Sequence, residues 1–191
     1  MNPAAGSPLA EHEQGRGLAR LNPSPKRAYT LVATVKDAPG TFEAMTATAQ
    51  YDVINENACG HINRSSGTAE RITSNETFVL EKVSDTEYRG KFYLDLMQDE
   101  DYYGRGVCHW ELMEARIVLQ ATGAPGEAHF VAGLRLENVL ENTPRTLYFT
   151  RRGYPARDVP DYPDFGRTDP TRFDIPLQKD LFSITLHADA V

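Results

Sequence analysis

Two cysteines, each close to a histidine, are the residues whose types and spacing first point to chemistry: Cys59 in Asn57-Ala58-Cys59-Gly60-His61 and Cys108 in Gly106-Val107-Cys108-His109-Trp110. Both fall at expected loop-to-strand edges, whereas a buried structural thiol more often sits on a core face. Joined, they close a loop of about 50 residues, for which the chain-entropy model gives roughly 4 kcal/mol of stabilisation. A lone pair of this kind reads as a disulfide made in an oxidising compartment. Two alternatives stand beside it: unrelated free thiols, or a Cys2His2 zinc set completed by His61 and His109. The Cys-x-His and Cys-His spacings do not suit the usual finger loops, and each histidine reads more simply as a surface side chain.

The second cluster is the acidic and aromatic run Asp95-Leu96-Met97-Gln98-Asp99-Glu100-Asp101-Tyr102-Tyr103-Gly104-Arg105-Gly106. As a plain connection, its glycines supply positive φ and its carboxylates keep it soluble. As a calcium site it would use Asp99, Glu100 and Asp101, yet three consecutive carboxylates lack the alternating ligands of an EF-hand loop. As a contact surface, Tyr102 and Tyr103 offer rigid anchoring area, the carboxylates select a basic partner, and Arg105 belongs to the same projection.

Catalytic motifs are absent: there is no Gly-x-Ser-x-Gly elbow, no His-Glu-x-x-His and no phosphate-cradling glycine loop. The reading therefore assigns no catalytic residue, no metal and no cofactor. With 27 acidic against 20 basic residues the formal charge is -7, which repels a phosphate backbone and argues against nucleic acid. No apolar run approaches the roughly 20 residues that cross a bilayer.

What must position these clusters is a set of strands. From Lys26 onward the pattern is period-two alternation broken by turns. The clearest case covers residues 87–96, with Tyr88, Gly90, Phe92, Leu94 and Leu96 on one face. The same test picks out Tyr29, Leu31, Ala33 and Val35, then Met45, Ala47, Ala49, Tyr51 and Val53, although residues 41–50 are rich enough in Ala, Glu and Met to open as a helical turn. Further strands are expected over 77–83, 111–120, 128–140, 145–151 and 181–187. Residues 153–170, rich in Pro, Asp and Arg, read as one long surface loop. The whole predicts an all-β protein, an antiparallel β-sandwich of immunoglobulin-like or related type over 26–191, behind a flexible N-terminal tether over 1–25, with a mixed α/β fold as the main competitor.

The stretch Tyr93-Leu94-Asp95-Leu96, Asp99-Glu100-Asp101-Tyr102-Tyr103-Gly104 and Gly106-Val107-Cys108-His109-Trp110, with Tyr51-Asp52-Val53 and Cys59 before it, resembles small periplasmic or lipid-anchored immunity proteins cognate to type VI secretion effectors of lipase type. The resemblance spans about a third of the chain. It implies a non-enzymatic protein that binds and inhibits a secreted toxic effector enzyme, in the periplasm or on the outer membrane facing it. The lipid anchor and export segment of such precursors are missing from the chain, as they would be after trimming. Two rivals from other classes are a calcium- or carbohydrate-binding β-sandwich module and a small hydrolase.

Overall fold

Alternation at two distant places in the chain becomes one sheet because both segments need the same apolar partner face. In the computed structural model, which describes residues 18–191, β1 (Ala28–Lys36) turns Leu31, Ala33 and Val35 inward and β5 (Glu87–Tyr93) turns Tyr88 and Phe92 inward. The two run antiparallel with Ala33 opposite Tyr88 and Leu31 opposite Gly90, so their inward residues fall in rows. The first sheet is completed by β4 (Leu80–Lys82), β8 (Arg145–Thr150) and β10 (Leu181–Ala190), in the order β4-β5-β1-β10-β8. The second holds β2 (Ala44–Val53), β3 (Thr73–Thr77), β6 (Trp110–Gln120), β7 (His129–Arg135) and β9 (Pro163–Asp164), in the order β3-β2-β6-β7-β9. Among the described strands only the two-residue β9 runs parallel to its neighbour. The expected all-β sandwich is the fold.

The sheets meet over a single apolar cluster. Phe130 of β7 lies 5.1 Å from Phe182 of β10 and 5.6 Å from Phe149 of β8, edge to face in both cases, the arrangement that ring quadrupoles favour. Tyr51 of β2 donates its hydroxyl across the gap to the Tyr93 carbonyl at 2.5 Å. Burial, with the nearby Glu76 and Asp95 charges adding to it, drives that phenol's pKa upward, so it remains a donor. Gly90 leaves room for the Phe78 ring, whose nearest atom would stand 2.8 Å from any added Cβ.

Several expectations need correction. Residues 77–83 are not one strand: β3 ends at Thr77 in the second sheet and β4 begins at Leu80 in the first, so the chain changes sheets at Phe78 and Val79. The strand expected over 128–140 stops at Arg135 and gives way to a short helix (Leu136–Glu141), closed by Asn142 in the left-handed region. The strand over 87–96 ends at Tyr93, where Asp95 turns the chain. Residues 41–50 open no helix. The tether over 1–25 is too long as drawn: Arg20 and Asn22 pair with Gln98 and Leu96, Ala19 packs against the core, and the Asp95 carboxylate accepts the Lys26 and Arg27 amides at 2.9 Å each. Residues 1–17 lie outside the described part.

Replacing Phe130 with Ala should cost about 3–5 kcal/mol in urea unfolding, whereas Val79→Ala, at a position 74% exposed, should stay within about 0.5 kcal/mol. Similar costs at the two positions would place the Phe130 ring outside the core.

Candidate functional site

Strands β2 and β6 are neighbours with Val53 opposite Trp110, so the chain leaving one and the chain entering the other emerge side by side at one pole of the sandwich. Chain geometry therefore puts Cys59, at the end of helix α1 (Glu56–Cys59), against Cys108, two residues before β6. They form a disulfide, with Cα atoms 5.2 Å apart and both residues fully buried. This settles the pairing expected from sequence and removes the free-thiol and zinc alternatives. His61 and His109 point elsewhere: His109 Nδ1 meets the Asp99 carboxylate at 2.8 Å, and the His61 ring lies 6.5 Å from that of Tyr103.

Asn55 is the second clamp. Its Nδ2 donates to the Val107 carbonyl at 2.8 Å and its Oδ1 accepts the His109 amide at 2.8 Å, while its own carbonyl receives the Ala58 amide that starts α1. One side chain thus ties both loops before the disulfide does. Arg105 adds a third tie, its guanidinium donating to the carbonyls of Gly60 and, at 3.2 Å, Asn57.

The acidic cluster is divided among separate tasks. Asp99 accepts the Trp110 amide at 2.9 Å with one oxygen and faces His109 with the other. Glu100 pairs through its backbone with Cys108, and its Oε1 stands 3.6 Å from Arg20. Asp101 accepts the Arg105 amide at 3.0 Å. Partial desolvation opposes its ionisation, but the amides of Gly106, Arg105, Gly104 and Tyr103 around it prevail and hold its pKa below the ordinary aspartate value. The three carboxylates do not converge, so the calcium reading loses its ligand set; among the described residues no group of three or more His, Cys, Asp or Glu is placed to hold a metal. Tyr102 lies inward, donating to the Gln98 carbonyl and packing beside the disulfide.

Of the six residues expected to meet a partner, Asp99, Asp101, Tyr102 and Arg105 thus hold the loop together, Glu100 is half turned to Arg20, and Tyr103 faces solvent. At the same pole Ile54 and Val107 are also exposed, 58% and 45% accessible, on chain segments joined by the Asn55 bonds. The sequence carried a sign of Ile54: it follows Val53 directly and so breaks the strand's alternation. Val107 carried none.

The disulfide fits an oxidising compartment, and no helix among the described residues is long and apolar enough to cross a membrane. No protein-family model, curated protein or solved structure matched the chain.

Peptide mapping without reductant should show Cys59 linked to Cys108. The double variant Cys59→Ala/Cys108→Ala should lose about 4 kcal/mol of stability, and an unchanged unfolding midpoint would show that the clamp is redundant. A carboxyl whose pKa is lowered on folding stabilises above its unfolded value and loses that contribution as pH falls through the folded one. Asp101 should therefore contribute fully above about pH 4 and progressively less below it. Acid titration of unfolding should be shallower for Asp101→Asn than for wild type; parallel curves would contradict the loop's amide cradle.

Proposed function

We propose that the chain is a non-enzymatic binding protein of the periplasm, free or anchored to the outer membrane, that neutralises a secreted toxic effector enzyme by seating the clamped pole on it. The observation carrying this reading is that Ile54, Tyr103 and Val107 are held in solvent on backbone that a disulfide, Asn55 and Arg105 have already fixed. Exposed apolar and aromatic side chains on rigid loops bind at low ordering cost, because the backbone has no freedom left to lose. Asn55, Asp99, Asp101 and Arg105 around them are already bonded within the pole, so covering them leaves few of these groups unpaired. The acidic residues then serve the loop's shape more than the partner's charge. The resemblance to immunity proteins of type VI effectors agrees with such an inhibitor, as does the oxidising compartment that the disulfide fits.

The test is neutralisation. Proteins encoded beside the chain's own gene are directed to the periplasm one at a time, with and without it. At least one should be toxic alone and harmless in its presence. Ile54→Asp and Val107→Asp should abolish the rescue without changing the melting temperature, and Tyr103→Ala should speed dissociation of the purified complex by about tenfold. Failure to rescue from any toxic neighbour would overturn the reading, and full rescue by both aspartate variants would move the interface off this pole.

A further inference from the structure

At the opposite end of β1 from the clamped pole, the outer face of β1, β10 and β8 faces a wall made by residues 170–178, and between them lies a cleft of about 380 Å³. Its floor is hydroxyl-bearing: Tyr148 stands opposite Ser183 and Thr146 opposite Thr185 in the β8–β10 register. Lys36 and Asp37, at the end of β1, line one side.

These groups are unequally occupied. Thr146 and Thr185 bond each other at 2.8 Å. The Tyr148 hydroxyl, the Ser183 hydroxyl, the Lys36 ammonium and the Asp37 carboxylate have no hydrogen-bond or ion-pair partner among the described residues. Their backbones are nonetheless fixed. Tyr148 exchanges two main-chain hydrogen bonds with Arg167, at 2.8 and 2.9 Å. Asp37 sits at φ 61°, a conformation that aspartate tolerates better than most residues, and its carbonyl accepts from the Arg151 guanidinium. The wall is braced as well: the Asp169 side chain accepts the Thr171 amide at 2.9 Å, and the Gln178 amide group donates to the Thr171 and Phe173 carbonyls at 3.2 and 2.9 Å.

Unspent donors and acceptors on fixed backbone, facing one concavity, are what a polar ligand meets in a preformed site. We propose that this cleft binds a neutral oligosaccharide. Lys36 stands beside Asp37, and the nearby Arg151 is paired with Asp180, so the cleft gives no net attraction for phosphate; its hydroxyls would lose their hydration against a purely apolar ligand, while Pro170 and Leu181 at its margin suit the C–H face of a sugar ring. A sugar's hydroxyls both donate and accept, so they match Asp37 as acceptor, Lys36 as donor and the Tyr148 and Ser183 hydroxyls as either. The volume is at the small end for ligand pockets, enough for about two sugar rings. This site shares no residue with the clamped pole and does not depend on a toxin binding there.

The experiment is a titration of the ¹⁵N-labelled full chain with chitotriose, cellotriose, maltotriose and, separately, inorganic phosphate, followed by amide chemical shifts. At least one oligosaccharide should give saturable shifts centred on Lys36, Asp37, Tyr148 and Ser183, and phosphate should give none there. Tyr148→Ala and Asp37→Asn should each weaken that binding by about tenfold with melting temperatures kept, since the first leaves the strand's backbone bonds in place and asparagine also tolerates positive φ. No saturable shift with any of the three sugars at millimolar concentration, saturation by phosphate instead, or binding indifferent to both substitutions would overturn the proposal.

Discussion

The burial of Phe130 between the two sheets is the contact on which the rest of the molecule hangs. Its ring meets Phe182 and Phe149 from the facing sheet, Phe42 from the segment leading into β2 and, at 6.5 Å, Tyr154 from the long connection after β8. Four separate stretches of chain are therefore positioned by one apolar volume, which packs at near-crystalline density and tolerates little shift. Tyr154 carries this order outward: its ring lies edge-on to Phe42 at 5.5 Å, and its hydroxyl donates to the Thr41 carbonyl at 2.7 Å. The wall of the hydroxyl-lined cleft belongs to the connection that Tyr154 anchors.

The two ends of the sandwich are held by different balances of forces. Near Phe42 and Tyr154 the loops are drawn in by aromatic burial, to which the Tyr154–Thr41 bond and the Glu127 carboxylate, accepting the Thr122 and Gly123 amides, add directed ties. At the other pole the loops are long, polar and short of apolar residues, and their order comes from directed bonds: Asn55, Arg105, Asp95, Asp99 and Asp101 to backbone groups, closed by the disulfide. Backbone polar groups leaving water must find partners, and in these loops side chains supply them where no strand does. A loop built this way has a fixed shape while keeping its apolar side chains outside, the reverse of the arrangement in the core.

The inward faces of β1, β2 and β5 were legible in the sequence because each is covered on one side and wet on the other, the condition that writes alternation into a strand. The break within 77–83 was not, because alternation records which side is buried and says nothing about which sheet does the burying; it runs on through Phe78 while the chain crosses from β3 to β4. Residues 136–140 did carry a signal, Leu136 and Val139 at helical spacing, but the strand before them masked it. β9 left no trace, since two residues cannot show a period. The cysteine pairing could be read from two isolated thiols at strand edges. The role of Asp99 and Asp101 could not, because a carboxylate spent on its own loop's amides and one offered to a partner look identical in a string of letters.

The connection over residues 153–180 has almost no regular structure, yet it pairs with both sheets: β9 lies beside β7 in one, and Arg167 lies beside Tyr148 of β8 in the other. Gly166 lets it lie flat, with the Phe149 ring 2.8 Å from where a Cβ would be. Two edge strands on the same flank are thereby covered by a single irregular segment. Unpaired strand edges are templates for joining another molecule, so a nick or a loosened hold in this one stretch would bare both together. The protein's resistance to polymerising through its own strands rests, on that flank, with the part of the chain that looks least like a sheet.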